Sequence, residues 1–268
     1  MIAKADDLTR DHLIIPDSHA HPGFDNDRFT ALGNYIIEKK PPVIVCIGDF
    51  ADMPSLSAYD KGKRSFEGRR IKKDIEASLD AMEKMFAPIF KYNKKASNAR
   101  RYQPLKIMCI GNHEDRFCRA CNDIPELHGT IGIEDLKYED YGWKVYPYKS
   151  TAILDGICYS HYFPSGVLGK AISGENIAKK MVATNHCSSV QGHSHVYNHY
   201  EHTRPDHVKL FGLSCGCYTH PDMVEGWNLN THHLWWRGVI TLEGAGRWPG
   251  YYQGIHAITQ SKLMDDYL

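Results

Sequence analysis

Oxygen and nitrogen donors recur in five short stretches of the sequence: Asp17 and His19 in DSH, Asp49 and Asp52 in GDFAD, Asn112, His113 and Glu114 in GNHED, His161 in SHY, and His193 and His195 in GHSH. Carboxylate, amide oxygen and neutral imidazole are the ligands that borderline first-row cations such as Mn, Fe, Ni or Zn accept. Four of these stretches follow at once on a short apolar run, so the donors stand at strand ends, where binding sites gather in α/β folds. A turn there brings the side chains of each pair to one site, and the neighbouring Gly48, Gly111 and Gly192 help to permit it.

The elements that must position these groups are legible from periodicity. Apolar, β-branched runs over residues 13–15, 43–47, 107–110 and 153–159 read as strands. Between the first two, Phe29, Leu32, Ile36 and Ile37 recur at helical spacing after Asp27, an expected N-cap, which gives a βαβ unit. Ile71, Ile75, Leu79, Met82, Phe86 and Ile89 mark an amphipathic helix that would cover the sheet. A further helix is expected over 173–183, capped by Ser173. After Val190 helical spacing fades, and strands are expected over 209–213, 234–242 and 251–258. An α/β front half with a strand-rich back half points to two sheets packed face to face with helices outside.

Bulk properties restrict the function class. The 268 residues suit a single domain, with a helical and basic insertion at about 53–104. No apolar stretch approaches the ~20 residues that span a bilayer. The first thirteen residues hold no apolar segment of the kind a secretory signal needs, so a cytoplasmic protein is expected. Thirty-two basic residues balance thirty-two acidic ones, so no global positive field exists to hold a nucleic acid and any such contact must be local. Eight cysteines in such a chain read as reduced thiols.

In order and spacing, DSH, GDFAD, GNHED, the lone His161 and GHSH resemble the calcineurin-like metallophosphoesterase family, whose pattern is DxH, GDxxD, GNHE or GNHD, a lone His, and GHxH. The resemblance runs from about Ile14 to His195. It implies an α/β four-layer αββα sandwich of two mixed β-sheets flanked by helices, with the metal site at the strand C-terminal ends. It places a first metal ion on Asp17, His19, Asp49 and His195 and a second on Asp49, Asn112, His161 and His193, with Asp49 bridging both. His113 would be a catalytic histidine that binds no metal. Two divalent cations, Mn first among the candidates, would be the cofactors. Held ~3.5–4 Å apart, such cations lower the pKa of a shared water and clamp phosphate oxygens during in-line attack by the bridging hydroxide. His113 would protonate the leaving oxygen. The basic stretch 61–73 also resembles small metallophosphoesterases encoded by bacteriophages.

Other features admit two readings. Asp52 fits better as a carboxylate that orients a ligand imidazole than as a ligand. His21 is read as a surface residue or as support for His19. Cys118 and Cys121, with Cys215 and Cys217, could form a further zinc site, but the spacings favour reduced structural thiols. Met53 and Pro54 stand where the phosphoprotein phosphatases of this superfamily carry Arg and Gly, which disfavours that activity. The stretch 61–73 holds Arg64, Arg69 and Arg70 among its basic residues, with Tyr59 and Phe66 nearby, and either contacts a polyanionic substrate or is a solvated lead into the helix. The expected activity is hydrolysis of phosphodiesters of nucleotides or nucleic acid. A phosphomonoesterase acting on nucleotides or other small phosphates is the alternative, and a metal-bearing, non-catalytic interaction scaffold is the alternative of another class.

Overall fold

The computed structural model describes residues 9–224, 230–246 and 250–268. Residues 1–8, part of the start on which the cytoplasmic reading rests, lie outside them. Four strands, β1 (Arg10–Ile15), β2 (Val43–Cys46), β3 (Leu105–Cys109) and β4 (Lys144–Tyr146), run parallel and side by side. They are connected through α1 (Asp27–Lys39), α2 (Ile71–Lys95) and α3 (Arg116–Asp123). The chain then forms the hairpin β5 (Ala152–Leu154) and β6 (Ile157–Tyr159), the small ribbon β7 (Pro164–Ser165) and β8 (Lys170–Ala171), and α4 (Ile177–Asn185). After it come β9 (Ser189–Gln191), β10 (Tyr197–Thr203), β11 (Lys209–Cys215), β12 (Gly238–Ala245), β13 (Gly254–Thr259) and α5 (Gln260–Tyr267).

Two mixed sheets result. One has six strands in the order β13-β12-β1-β2-β3-β4, with β12 antiparallel to β1, and the other five in the order β10-β11-β9-β6-β5. β2 is apolar throughout, and β1 and β3 are apolar over their last three residues, because both faces are covered there. Leu13, Ile15, Ile44, Cys46 and Met108 pack with Phe29, Leu32 and Ile36 of α1 and with Met82 and Phe86 of α2. The alternate residues Ile14, Val43, Val45, Ile107 and Cys109 point the other way and share one cluster with Tyr159, Val190, Phe211 and Leu213 of the second sheet. This is compatible with two sheets stacked face to face. Ile177, Ala178 and Met181 of α4 pack with Phe163 and Ile172 in a separate cluster.

Several local expectations are revised. The run 153–159 is not one strand but a hairpin, because Asp155 and Gly156 both adopt positive φ (50° and 79°), the geometry of a tight two-residue turn. Asp27 is the first residue of α1, and Asn26 is its N-cap. Helix α4 starts at Ile177, with Asn176 rather than Ser173 at its N-cap. β10 escaped notice because YNHYEHT is polar and mostly exposed at a sheet edge. α5 is two turns long and buries only Gln260 and Leu263, too little for a periodic signal. No helix among the described residues is long and apolar enough to cross a membrane.

Candidate metal centre

The five donor-bearing turns lie where β1, β2, β3, β6 and β9 end, and each is fixed by its neighbours. The backbone N–H groups of Ser18 and His19 donate to the Asp49 carbonyl at 3.0 and 2.8 Å, which docks the first turn on the second. Glu114, wholly buried, accepts from the backbone N–H of Asp49, Phe50, Ala51 and Gly111 and from the Tyr138 hydroxyl. Arg28, also buried, donates to the Ser18 and Tyr218 carbonyls, and Tyr218 N–H donates to the Asp17 carbonyl. Backbone strain is concentrated on the donors themselves: His19, Asp49, His193 and His195 all have positive φ (46°, 50°, 66° and 59°), a conformation rare in residues with a Cβ and frequent at functional sites. Gly111 and Gly192 serve by being small, since a Cβ on either would collide with Asp49 Oδ1 or Asp17 Oδ1 respectively.

Asp49 stands at the middle of the cluster. Its Oδ2 lies 3.3 Å from His161 Nε2, 3.6 Å from His19 Nε2 and 3.8 Å from His113 Nε2, while Oδ1 accepts from His113 N–H at 2.8 Å. To one side, Asp17 Oδ2 is 3.2 Å from His195 Nε2, and these groups converge with His19. To the other, Asn112 Oδ1 is 2.8 Å from His161 Nε2 and 2.9 Å from His193 Nδ1. His161 Nδ1 faces the Ile47 carbonyl at 3.0 Å and must donate to it, which leaves Nε2, turned to the cluster, as the nitrogen that can ligate once its proton is lost. Among the described residues, three groups converge closely enough to hold a cation: Asp17, His19 and His195; Asp49, His161 and His193; and His19, Asp49 and His113.

The first group holds three of the four donors expected for the first ion, without Asp49, and the second holds three of those expected for the other, with Asn112 beside it. The third includes His113, which the sequence reading kept apart from metal. A donor test favours cations here. Asp17 Oδ1 and His195 Nδ1 are buried with no hydrogen-bond partner among the described residues, an arrangement that is costly unless something else satisfies them. These buried His/Asp groups can hold a metal ion.

Protonation follows the same geometry. Burial pushes the Asp49 carboxyl up, but His161, His113 and His19 outweigh it and hold the group well below the usual carboxylate range. For Asp17, burial is likewise overcome by His195 and His161, and the pKa is lowered. Burial acts to lower His161, yet the Asp49 carboxylate raises it to about 9, so a cation entering here displaces a proton. Burial and the neighbouring His161 lower His193 to about 4, which keeps it neutral and able to ligate.

Asp52 is buried and binds imidazoles: Oδ1 lies 2.9 Å from His19 Nδ1 and 2.8 Å from His113 Nδ1. His113 Nδ1 also lies 2.8 Å from the Asp52 carbonyl. Both neighbours only accept, so Nδ1 carries the hydrogen and Nε2 faces the cluster. His21 Nε2 is 3.8 Å from Asp52 Oδ2, outside the three converging groups.

The cluster opens into a cavity of about 1390 Å³, walled in part by Phe24, Tyr59, Tyr197 and Trp235. Of the three arginines expected to meet substrate, Arg69 lines this cavity, while Arg64 and Arg70 are exposed and do not. Arg116, which the sequence reading passed over, lines it too. Glu114 and Arg28 were also given no role there. GNHED displays Glu114 without showing that it faces backbone amides, and Arg28 sits in an amphipathic helix where nothing in the pattern marks it. None of the converging groups contains a cysteine: Cys215 Sγ donates to the Gln191 carbonyl, Cys217 lies beside Thr219, Cys121 faces the Ile131 carbonyl and Cys118 is exposed. Among known proteins, no family model matches the chain and a search of curated proteins finds no match.

Proposed function

We propose that the chain is a two-metal phosphoesterase of the calcineurin-like type, a single αββα domain acting in the cytoplasm on phosphodiesters of nucleotides or nucleic acid. One observation carries the reading: Asp49 Oδ2 lies between two sets of oxygen and imidazole donors, each able to hold one cation. Asp17, His19, Asp49 and His195 would hold one, and Asp49, Asn112, His161 and His193 the other. When bound, such a pair supplies a water of lowered pKa and positive charge for the phosphoryl oxygens. The protein's own share is orientation and proton transfer. Asp52 takes the Nδ1 hydrogens of His19 and His113 and so aims both rings at the cluster. His113 Nε2 faces the cluster and Arg116 Nη2, 3.2 Å away, and could pass a proton to a leaving oxygen once it has taken one up. Glu114 and Arg28 keep the turns in register, and the wide cavity leaves room for a substrate larger than phosphate.

The test is hydrolysis by the metal-reconstituted chain of an aryl phosphomonoester, an aryl phosphodiester, cyclic nucleotides, and single- and double-stranded oligonucleotides. Turnover of the diesters above the monoester supports the reading. Two bound metals per chain with no turnover of any ester would favour the non-catalytic scaffold instead.

A further inference from the structure

We infer that Arg116 binds an anionic oxygen of the substrate's phosphoryl group beside His113, an assignment that rests on the phosphoesterase reading above. Among the described residues, three lysine or arginine side chains line the cavity: Lys63, Arg69 and Arg116. The first two share one carboxylate. Arg69 Nη1 is 2.8 Å from Asp60 Oδ2, and Lys63 Nζ is 3.8 Å from Asp60 Oδ1 and lies over the Tyr59 ring. Arg116 differs, for it enters no ion pair among the described residues. Its Nη1 donates instead to the backbone carbonyls of Asp52 at 2.7 Å and Met53 at 3.2 Å.

Those two bonds fix the guanidinium without cancelling its charge. Nη2 is then held 3.2 Å from His113 Nε2, which is itself 3.8 Å from Asp49 Oδ2. A positive, half-buried group that lines the cavity is thereby anchored one side chain away from the Asp49 carboxylate. A charge withdrawn from water is stabilised by an anion of matching geometry, and a guanidinium fork matches the oxygens of a phosphate. The sequence places Arg116 here by a short route: it is the first residue of α3, immediately after the turn that carries Asn112 and His113. The ligand class is a phosphate ester whose non-bridging oxygen reaches Arg116 while its phosphorus faces the donors around Asp49.

The test is calorimetric titration of the Mn-loaded chain with inorganic phosphate, with metal content measured in every preparation. Arg116→Gln keeps an amide N–H for the carbonyls of Asp52 and Met53 but removes the charge, and should weaken phosphate binding about tenfold or more, as expected for loss of a charge-assisted hydrogen bond. Arg116→Lys should recover part of that loss. In Arg116→Ala, added guanidinium ion should restore phosphate affinity, which a purely structural role would not produce. Arg204→Ala, an exposed arginine already paired with Asp206, is the charge-loss control. Phosphate affinity in Arg116→Gln within about twofold of the parent, far short of a charge-assisted bond, overturns the assignment, as does a parent that binds no phosphate. Should Arg116→Gln lose metal, the decision passes to Arg116→Lys with the same criterion. Phosphate binding that depends on Arg116 in a chain that cleaves no ester leaves this assignment standing and removes the phosphoesterase reading.

Discussion

Glu114 Oε2 accepts a hydrogen bond from the backbone N–H of Asp49 at 3.0 Å, so the last motif residue of one donor turn holds the main chain of another. The same carboxylate takes the N–H groups of Phe50, Ala51 and Gly111. Burial and the nearby Asp49 carboxylate raise its pKa, and the amides pull the other way. Glu114→Gln places an NH₂ group where amide donors converge and leaves at least one buried N–H without an acceptor. A loss on the order of 2–3 kcal/mol in chemical denaturation is expected, because unsatisfied buried donors and lost bonds to charged acceptors each cost that order. Denaturation midpoints equal to the parent's would show that the turn is held by other contacts.

Asp49→Asn should weaken both metal positions together. Its Oδ2 is shared between the His161 side and the His19 side of the cluster, and the substitution removes the charge from both. Metal content after dialysis against a weak chelator should fall well below that of His195→Ala, which disturbs only one side. Retention of two tightly bound ions with normal turnover would contradict the bridging assignment.

His113 stands in one converging group with His19 and Asp49, yet its Nδ1 is committed to Asp52. If its task is proton transfer, His113→Ala keeps the metal content of the parent and loses most rate with poor leaving groups, less with activated aryl esters. Equal losses across a leaving-group series, or loss of one metal, would make His113 a ligand instead.

The donors could be found from sequence because chemistry limits their types and β-strand ends limit their places. Asp17, His19, Asp49, Asn112 and His161 follow apolar runs and His193 and His195 follow the short strand β9, and the structure brings all of them around Asp49 or next to it. The parallel strands were legible for a related reason, since residues buried on both faces leave an unbroken apolar run such as Val43–Cys46. What stayed hidden depends on contacts distant in sequence. Nothing local tells that Glu114 meets four backbone amides, that Arg28 clasps Ser18 and Tyr218, or that Asp60 rather than a substrate meets Arg69. The hairpin at Asp155 and Gly156 was readable from its turn residues, but the apolar run across it masked the turn.

His12 offers a pH test remote from the metal centre. It is fully buried between sheets, with Nδ1 2.6 Å from the Tyr159 hydroxyl and Nε2 2.8 Å from Asp155 Oδ2. Burial lowers its pKa below the ordinary value, more than Asp155 raises it. The unfolded chain therefore takes up a proton as pH drops below about 6.5 while the folded chain resists it, and stability present above that pH is lost as pH falls through the folded value. Between about pH 7.5 and about pH 5 the parent should lose more stability than His12→Gln, which has no such proton to gain. Parallel curves for the two proteins would remove His12 from the acid response.

The basic stretch divides on inspection into residues with different prospects. Arg69 lines the cavity but is bound to Asp60 and to the Pro54 carbonyl, whereas Arg64 and Arg70 are exposed beside its rim elements. Charge that is solvated and unpaired releases counterions when a polyanion arrives, so its contribution shows in salt dependence. Neutralising Arg64, Arg69 and Arg70 together should raise KM for oligonucleotides and flatten its dependence on salt. Turnover of a small aryl phosphodiester should change little, because the metal donors lie in other turns and Arg69 is already committed to Asp60. Loss of the Asp60 pair, partly exposed, should alter the thermal transition only slightly, as exposed ion pairs contribute at most about 1 kcal/mol. If oligonucleotides are not cleaved, or the salt dependence is the same in both proteins, the stretch is a solvated lead into α2 and the substrate is a small phosphate ester held within the cavity.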